Sequence, residues 1–421
     1  MLIEFTVKNY RSIKEAQTIS MMKAKGTELE ESNTFLPDSK GAQQLLRSAA
    51  IYGANGSGKS NLIKALNVME SIVLSSQSMN KGDTFPVTPF LFDDESVNEP
   101  TEFEVIFISN NVRFQYGFVV SSTQVFEEWL IAYPKGKPQR WFSRIYDKEN
   151  NCSEYKFVES FTGKKSVWKD ATRENALFLS TAVQLNSKLL KPVYDWFLTK
   201  LRPNLLGEIA TGYTAGLCLE KDQRKKIVDF LKAADFDIFD IDVSAEKFDP
   251  SLLPENLPQP FRDELIDRMK DQDIIDVKTV HKTKSGNLVK LDLDEESDGT
   301  RRFFTFIGPW LDTLESGYIL IIDEIHDNLH PRLVRHLVDL FNSKKTNPNN
   351  AQLIFSTHET SILSQEVLRR DQIWFCEKDS DQATNLYSLT EFKPLKGREN
   401  IEDGYLSGRY GAYPFITTDY C

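Results

Sequence analysis

Apolar residues near the N-terminus recur at every second position. Ile3, Phe5 and Val7 alternate with Glu4, Thr6 and Lys8, which predicts a half-buried strand over 2–8. The same period returns from about 101 to 160. Strands are predicted over Thr101–Ile108, Val112–Val120, Val125–Tyr133, Arg140–Asp147 and Glu154–Val158. Asn110-Asn111, Ser121-Ser122, Lys135-Gly136 and Asn150-Asn151 separate them as turns, so the segment reads as an antiparallel meander. Between about 170 and 275 the period lengthens. Leu189, Val193, Trp196 and Phe197 share one helical face, and Ile227, Phe230 and Leu231 another. Prolines at 250, 254, 258 and 260 cut this stretch into short pieces. Val277–Val280 and Leu288–Leu293 flank Lys284-Ser285-Gly286 as a hairpin. Beyond 297, helix and strand alternate, whereas 25–45, rich in Gly, Glu, Ser, Asn and Asp, reads as a loop. The pattern predicts an α/β chain in three parts: 1–165, a helical insertion 166–276, and 277–421.

Composition narrows the class. Hydrophobic residues at 40% and charged residues at 27% of 421 suit a globular chain of one large or several ordinary domains. No apolar run reaches membrane-span length, and Met1-Leu2-Ile3-Glu4-Phe5 lacks a secretory layout, so a cytoplasmic location is expected. Cys152, Cys218, Cys376 and Cys421 are scattered without a C-x-x-C pair, which suggests a reducing compartment and no zinc site. The net charge of −11 disfavours non-specific nucleic-acid binding over the whole surface. The cluster Lys135-Gly136-Lys137-Pro138-Gln139-Arg140 reads as a solvated turn.

One segment names its chemistry. Gly53-Ala54-Asn55-Gly56-Ser57-Gly58-Lys59-Ser60, followed by Asn61, fits the phosphate-loop pattern G-x-x-x-x-G-K-[ST]. Ala49–Tyr52 before it suits a buried strand, and Leu62, Leu66, Met69 and Val73 after it recur at helical spacing. The glycines let backbone N–H groups converge on phosphate oxygens, Lys59 supplies charge to the β- and γ-phosphates, and Ser60 is placed to ligate Mg²⁺. The expected ligands are therefore ATP and Mg²⁺. Further along, Tyr318–Ile322 is a continuous apolar run closed by Asp323 and Glu324, as for a strand buried on both faces. Beside a phosphate loop, Asp323 would hold Mg²⁺ and Glu324 would orient or deprotonate the attacking water. Leu353–Thr357 is a second short strand, ending in His358. The helix Arg332–Asn342 between the two makes a β-α-β unit that could bring His358 to the acids. Glu296-Ser297-Asp298-Gly299-Thr300 precedes a helix with Phe303, Ile307, Leu311 and Leu314 on one face, and Pro309 would kink or break it.

In this order the pieces resemble the ATP-binding-cassette type of head ATPase, in its SMC-like, RecF-like and OLD-like branch. The resemblance places Glu296–Thr300 at the signature sequence, with Ser297 and Gly299 contacting nucleotide. It places Asp323-Glu324 at Walker B, His358 at the switch histidine, and Asp327–Pro331 at the loop after Walker B. Asn9-Tyr10-Arg11-Ser12 is similar to an N-terminal segment whose basic residue, here Arg11, lies near the nucleotide. Tyr405–Pro414, Glu296–Arg301 and Arg370–Phe375 look like the restriction-linked RloA-type ATPases of phage defence. Asp298 and Thr300 depart from the transporter signature. No Q-loop glutamine is evident near Pro89-Phe90, and Asn328 replaces a small hydroxyl residue. The implied fold is a head with a central mixed sheet, an antiparallel β subdomain and the helical insertion. The implied assembly is a homodimer or higher even oligomer enclosing ATP, which controls a separately encoded, nuclease-like effector. A DNA-repair ATPase binding DNA directly is the second reading, and no membrane partner is expected.

Overall fold

The computed structural model describes residues 1–203, 208–253, 258–259, 262–263, 266–267, 273–393 and 400–414. These form two compact units. The first comprises 1–204, 313–327 and 334–421; the second comprises 205–312 and 328–333.

Two large sheets build the first unit. One is antiparallel, in the order Cys152–Phe157, Gln139–Asp147, Val125–Tyr133, Val112–Val120, Thr101–Ser109, Leu2–Lys8, Gln17–Ser20. The alternating segments thus pair with their sequence neighbours, and the N-terminal strand closes on the first of them. Alternation explains the packing: Phe103, Val105, Phe107, Phe114, Tyr116 and Phe118 all turn into one core. Ile3 departs from the expected face. A bulge opposite Phe107 and Ile106 makes it the extra residue, and it joins a small cluster with Phe35, Leu45 and Ile108. The expected loop at 25–45 contains a short helix, Glu30–Asn33, and a two-stranded pair, Thr34–Phe35 with Leu45–Leu46.

The other sheet runs Leu201–Pro203, Ile319–Ile322, Gln352–Ser356, Ser48–Tyr52, Ile373–Lys378, Thr384–Ser388. All neighbours are parallel except the last pair. Ile319–Ile322, Gln352–Ser356 and Ser48–Tyr52 are buried at every residue, as strands covered on both faces must be. The strand Leu201–Pro203 lies inside the stretch read from sequence as helical. The tail stacks on this sheet: the Tyr405 ring lies 5.6 Å from Phe375 and 5.7 Å from Tyr52. Gly404 leaves room for Tyr410, since a Cβ there would meet that ring at 2.7 Å.

The second unit carries helices Glu208–Cys218 and Lys221–Ala233, and a sheet of Asp240–Lys247, Asp273–Lys282 and Leu288–Asp292. The hairpin is the expected one, with Gly286 at φ 87° in its turn. The strand Asp240–Lys247 is not among the expected elements; Ile241, Val243 and Ala245 alternate with polar residues there, but only Ile241 is buried. The helix Asp298–Ser316 runs through Pro309 without a break. Proline cannot donate to the carbonyl four residues back, that of Thr305. The Thr214 hydroxyl donates to that oxygen instead, at 3.4 Å, and accepts from the Gly308 N–H at 3.1 Å. Residues 303–310 are buried almost all round, a wider apolar surface than the single face expected.

Candidate functional site

Three adjacent parallel strands end at one place, where α/β sheets bind ligands. The loop 53–58 leaves Ser48–Tyr52, Asp323-Glu324 follow Ile319–Ile322, and His358 follows Gln352–Ser356. A cleft of about 570 Å³ is lined by Asn55, Gly56, Ser57, Gly58, Lys59, Ser60, Asn61, Glu324 and His358.

The glycines answer to contact as well as conformation. Gly53 has φ 155°, and a Cβ there would meet the Cys376 carbonyl oxygen at 2.3 Å. Gly58 has φ 109°, and a Cβ would meet Thr384 Oγ1 at 2.0 Å. Gly58 also begins the helix Lys59–Ser75, whose start has no side-chain cap. Its first N–H groups are therefore available to an anion.

Lys59 is buried, and burial lowers its pKa. Its ammonium donates to the Gly53 carbonyl at 2.7 Å, the Ala54 carbonyl at 3.2 Å and His358 Nε2 at 3.3 Å. An ammonium can only donate, so Nε2 accepts and the His358 proton sits on Nδ1. Burial, with Lys59 and His326 nearby, pushes the His358 pKa down to about 4, so the ring is neutral at pH 7. Its Nε2 lies 3.9 Å from Glu324 Oε1. His326 stands edge-on to it, with ring centres 5.4 Å apart.

Ser356 joins the two acids. Its buried hydroxyl donates to Asp323 Oδ1 at 2.5 Å and accepts from the Glu324 N–H at 2.8 Å. Glu324 adopts φ 54°, a left-handed conformation rare for glutamate. Sequence reasoning gave Ser356 no role, because one serine in an apolar strand carries no signal of its own.

A second tie runs from the N-terminal turn. Asn9 closes that turn, donating to the carbonyls of Ser96 and Glu99 and accepting from the Phe90 N–H. Ser12 Oγ lies 2.8 Å from Thr384 Oγ1 and accepts from the Asn61 side chain at 2.7 Å. Thr384 Oγ1 in turn donates to the Ser57 carbonyl at 2.8 Å. Arg11 is exposed, with Nε donating to the Tyr10 hydroxyl, and is not among the residues lining the cleft. Pro89-Phe90 packs at the Asn9 turn, and the structure brings no glutamine to the cleft lining.

Glu296–Thr300, the segment expected to be the signature, belongs to the second unit. Ser297 Oγ accepts from the Thr300 N–H at 3.2 Å, so Ser297 caps the helix Asp298–Ser316. A Cβ on Gly299 would meet only the Asn328 carbonyl, at 3.4 Å, and Ser297 Oγ. Glu296 is anchored by Thr279 and by His281 Nε2 at 2.7 Å.

A model of the AAA_21 family, described as "AAA domain, putative AbiEii toxin, Type IV TA system", matches residues 48–364. The chain belongs to that family. It is an AAA-type P-loop NTPase domain, and 48–364 takes in the loop, both acids and His358. No curated protein matches it. Among solved structures, the SMC head domain from Thermotoga maritima is similar at 12% identity and a TM-score of 0.42, over 92% of this chain and 98% of that one. An SMC head bound to the C-terminal winged-helix domain of ScpA gives 13%, 0.38, 92% and 97%.

The cleft suits its expected ligands. Ser57 Oγ is closed to solvent and has no hydrogen-bond partner, so an anion in the cleft would meet the backbone N–H groups of the loop and Lys59 rather than that hydroxyl. Ser60 and Asp323 offer a hydroxyl and a carboxylate, the hard oxygen donors Mg²⁺ takes alongside water and phosphate. Asp323 Oδ1 accepts from Ser356, and Asp323 itself is not among the residues lining the cleft. Among the described residues no helix is long and apolar enough to cross a membrane.

Proposed function

We propose that the chain binds and hydrolyses ATP and works as a switch. One observation carries this reading: Lys59, Ser60, Glu324 and His358 line one cleft around the phosphate loop. Gly53–Asn61 would wrap the phosphates and Lys59 would neutralise them. Ser60 and Asp323 would hold Mg²⁺, which supplies charge stabilisation to the transferring phosphoryl group. Glu324, at the mouth of the cleft, would take a proton from the attacking water. The neutral His358 would offer Nδ1–H or Nε2 to the γ-phosphate or that water.

In this reading Ser297 and Gly299 of a second copy complete the site, so ATP joins two chains and hydrolysis releases them. A ligand with different affinity for open and closed dimers is what a switch requires. Ser297 caps that helix start, so an anion there would meet the first-turn N–H groups other than that of Thr300. The switch would control a separately encoded effector, plausibly a nuclease, in phage defence. The tail resemblance to the RloA-type group is the ground for that role.

The experiment is Glu324→Gln beside Lys59→Ala. Glu324→Gln should bind ATP, turn over slowly and shift to dimer with ATP in analytical ultracentrifugation. Lys59→Ala should not bind. Glu324→Gln turning over near the wild-type rate would remove Glu324 as base. A Glu324→Gln chain that stays monomeric with bound ATP would remove the composite site.

A further inference from the structure

Arg47 is a buried cation without an anion. It is 2% exposed, and its Nη1 donates to the Asn347 carbonyl at 3.0 Å. Its guanidinium carbon stands 5.3 Å from the centre of the Phe35 ring. The Nε–H is shielded from solvent and has no hydrogen-bond partner. Among the described residues no carboxylate forms an ion pair with Arg47, and burial lowers its pKa. An uncompensated buried charge is costly, and proteins ordinarily pair or bond such groups.

Arg47 lines a cleft of about 670 Å³ on the first unit, with Glu31, Phe35, Leu36, Gln44 and Lys344 around it. The edge of a guanidinium made by Nε and Nη2 is the one that grips a carboxylate with two parallel bonds. Here Asn347 has taken Nη1 and Nε has no partner; because Nε is also closed to solvent, the second of those bonds requires the side chain to shift toward the cleft as the ligand enters. The charge suits a monoanion. Arg47 and Lys344 face Glu31 and Glu30, and Glu30 is already paired with Lys23 at 3.2 Å. A phosphate dianion would meet Glu31 with only one unbalanced positive charge to hold it. The rim is apolar on one side, where Leu36 is 66% exposed beside Phe35.

We infer that this cleft receives the carboxylate of an acidic side chain flanked by apolar residues, presented by a protein partner. The nucleotide site plays no part in the argument, so either reading can fail alone.

The test uses the full chain labelled with ¹⁵N-arginine and carrying Lys59→Ala, so that the phosphate loop cannot answer for Arg47. The Nε–H resonance of Arg47 is the one absent in Arg47→Lys. Sodium acetate should move it saturably, and the peptide acetyl-Leu-Glu-Leu-amide should do so at about tenfold lower concentration, roughly the worth of one buried methyl-rich contact. Leu36→Ser should weaken the peptide and leave acetate unchanged. Arg47→Met should melt no lower than the parent and lose the rise in melting temperature that the peptide gives. A resonance that ignores acetate overturns the site. One that answers to inorganic phosphate alone overturns the carboxylate. A peptide no better than acetate overturns the partner. An Arg47→Met chain that melts lower, with peptide stabilisation intact, makes Arg47 a clamp on Asn347 only.

Discussion

Replacing Ser356 by alanine tests how the two acids are held. The serine hydroxyl donates to a carboxylate at 2.5 Å and accepts from the Glu324 N–H at 2.8 Å. A hydrogen bond to a charged group contributes about 1.5–3 kcal/mol. At 1.4 kcal/mol per factor of ten, its loss at Asp323 corresponds to about 10- to 100-fold in whatever step depends on that carboxylate. The second bond matters differently. Without it Glu324 has less to hold it at φ 54°, a conformation that costs a non-glycine residue about 1–2 kcal/mol, and the carboxylate would swing from the cleft. The measurement is phosphate release across a Mg²⁺ titration, set against binding of a fluorescent ATP analogue without metal. Ser356→Ala should lower turnover by one to two orders of magnitude and raise the Mg²⁺ needed for half-maximal rate. Metal-free nucleotide affinity should stay within about twofold, because no loop contact passes through Ser356. Turnover and Mg²⁺ dependence close to wild type would refute the reasoning. So would metal-free affinity falling as far as turnover, which would mean that the whole site had collapsed.

Two further outcomes follow from the geometry. Thr384→Val removes the bonds to Ser57 and Ser12, at about 1 kcal/mol for the former, and should weaken ATP binding about fivefold by isothermal titration. His358 has its pKa depressed to about 4 against an ordinary 6.5, so the unfolded chain takes up a proton first as pH falls. Its contribution to stability is intact above pH 6.5 and is lost between 6.5 and 4. His358→Asn should flatten the melting-temperature profile across that window relative to wild type, and parallel profiles would contradict the assignment.

Sequence by itself determined what repeats locally. The meander was legible because each strand alternates and each pairs with its neighbour, so period and turn residues were sufficient. The strand Ser48–Tyr52 and the loop after it were legible because phosphate binding fixes residue type and spacing together. AAA-family membership bears out the nucleotide-binding class. Other features depended on partners far along the chain. Leu201–Pro203 is a strand because it pairs with Ile319–Ile322, more than a hundred residues away. The helix survives Pro309 because Thr214 supplies a hydroxyl to the freed carbonyl. Gly58 must be glycine partly because Thr384, on a distant strand, fills the space a Cβ would need. Ser356 and Arg47 show the same division. Their side chains are ordinary in the sequence, and only the groups brought around them by folding make one a brace for two acids and the other a charge in need of a partner. Local pattern reports propensity and spacing; long-range contact decides which polar groups are left unsatisfied, and those are where chemistry or binding is to be sought.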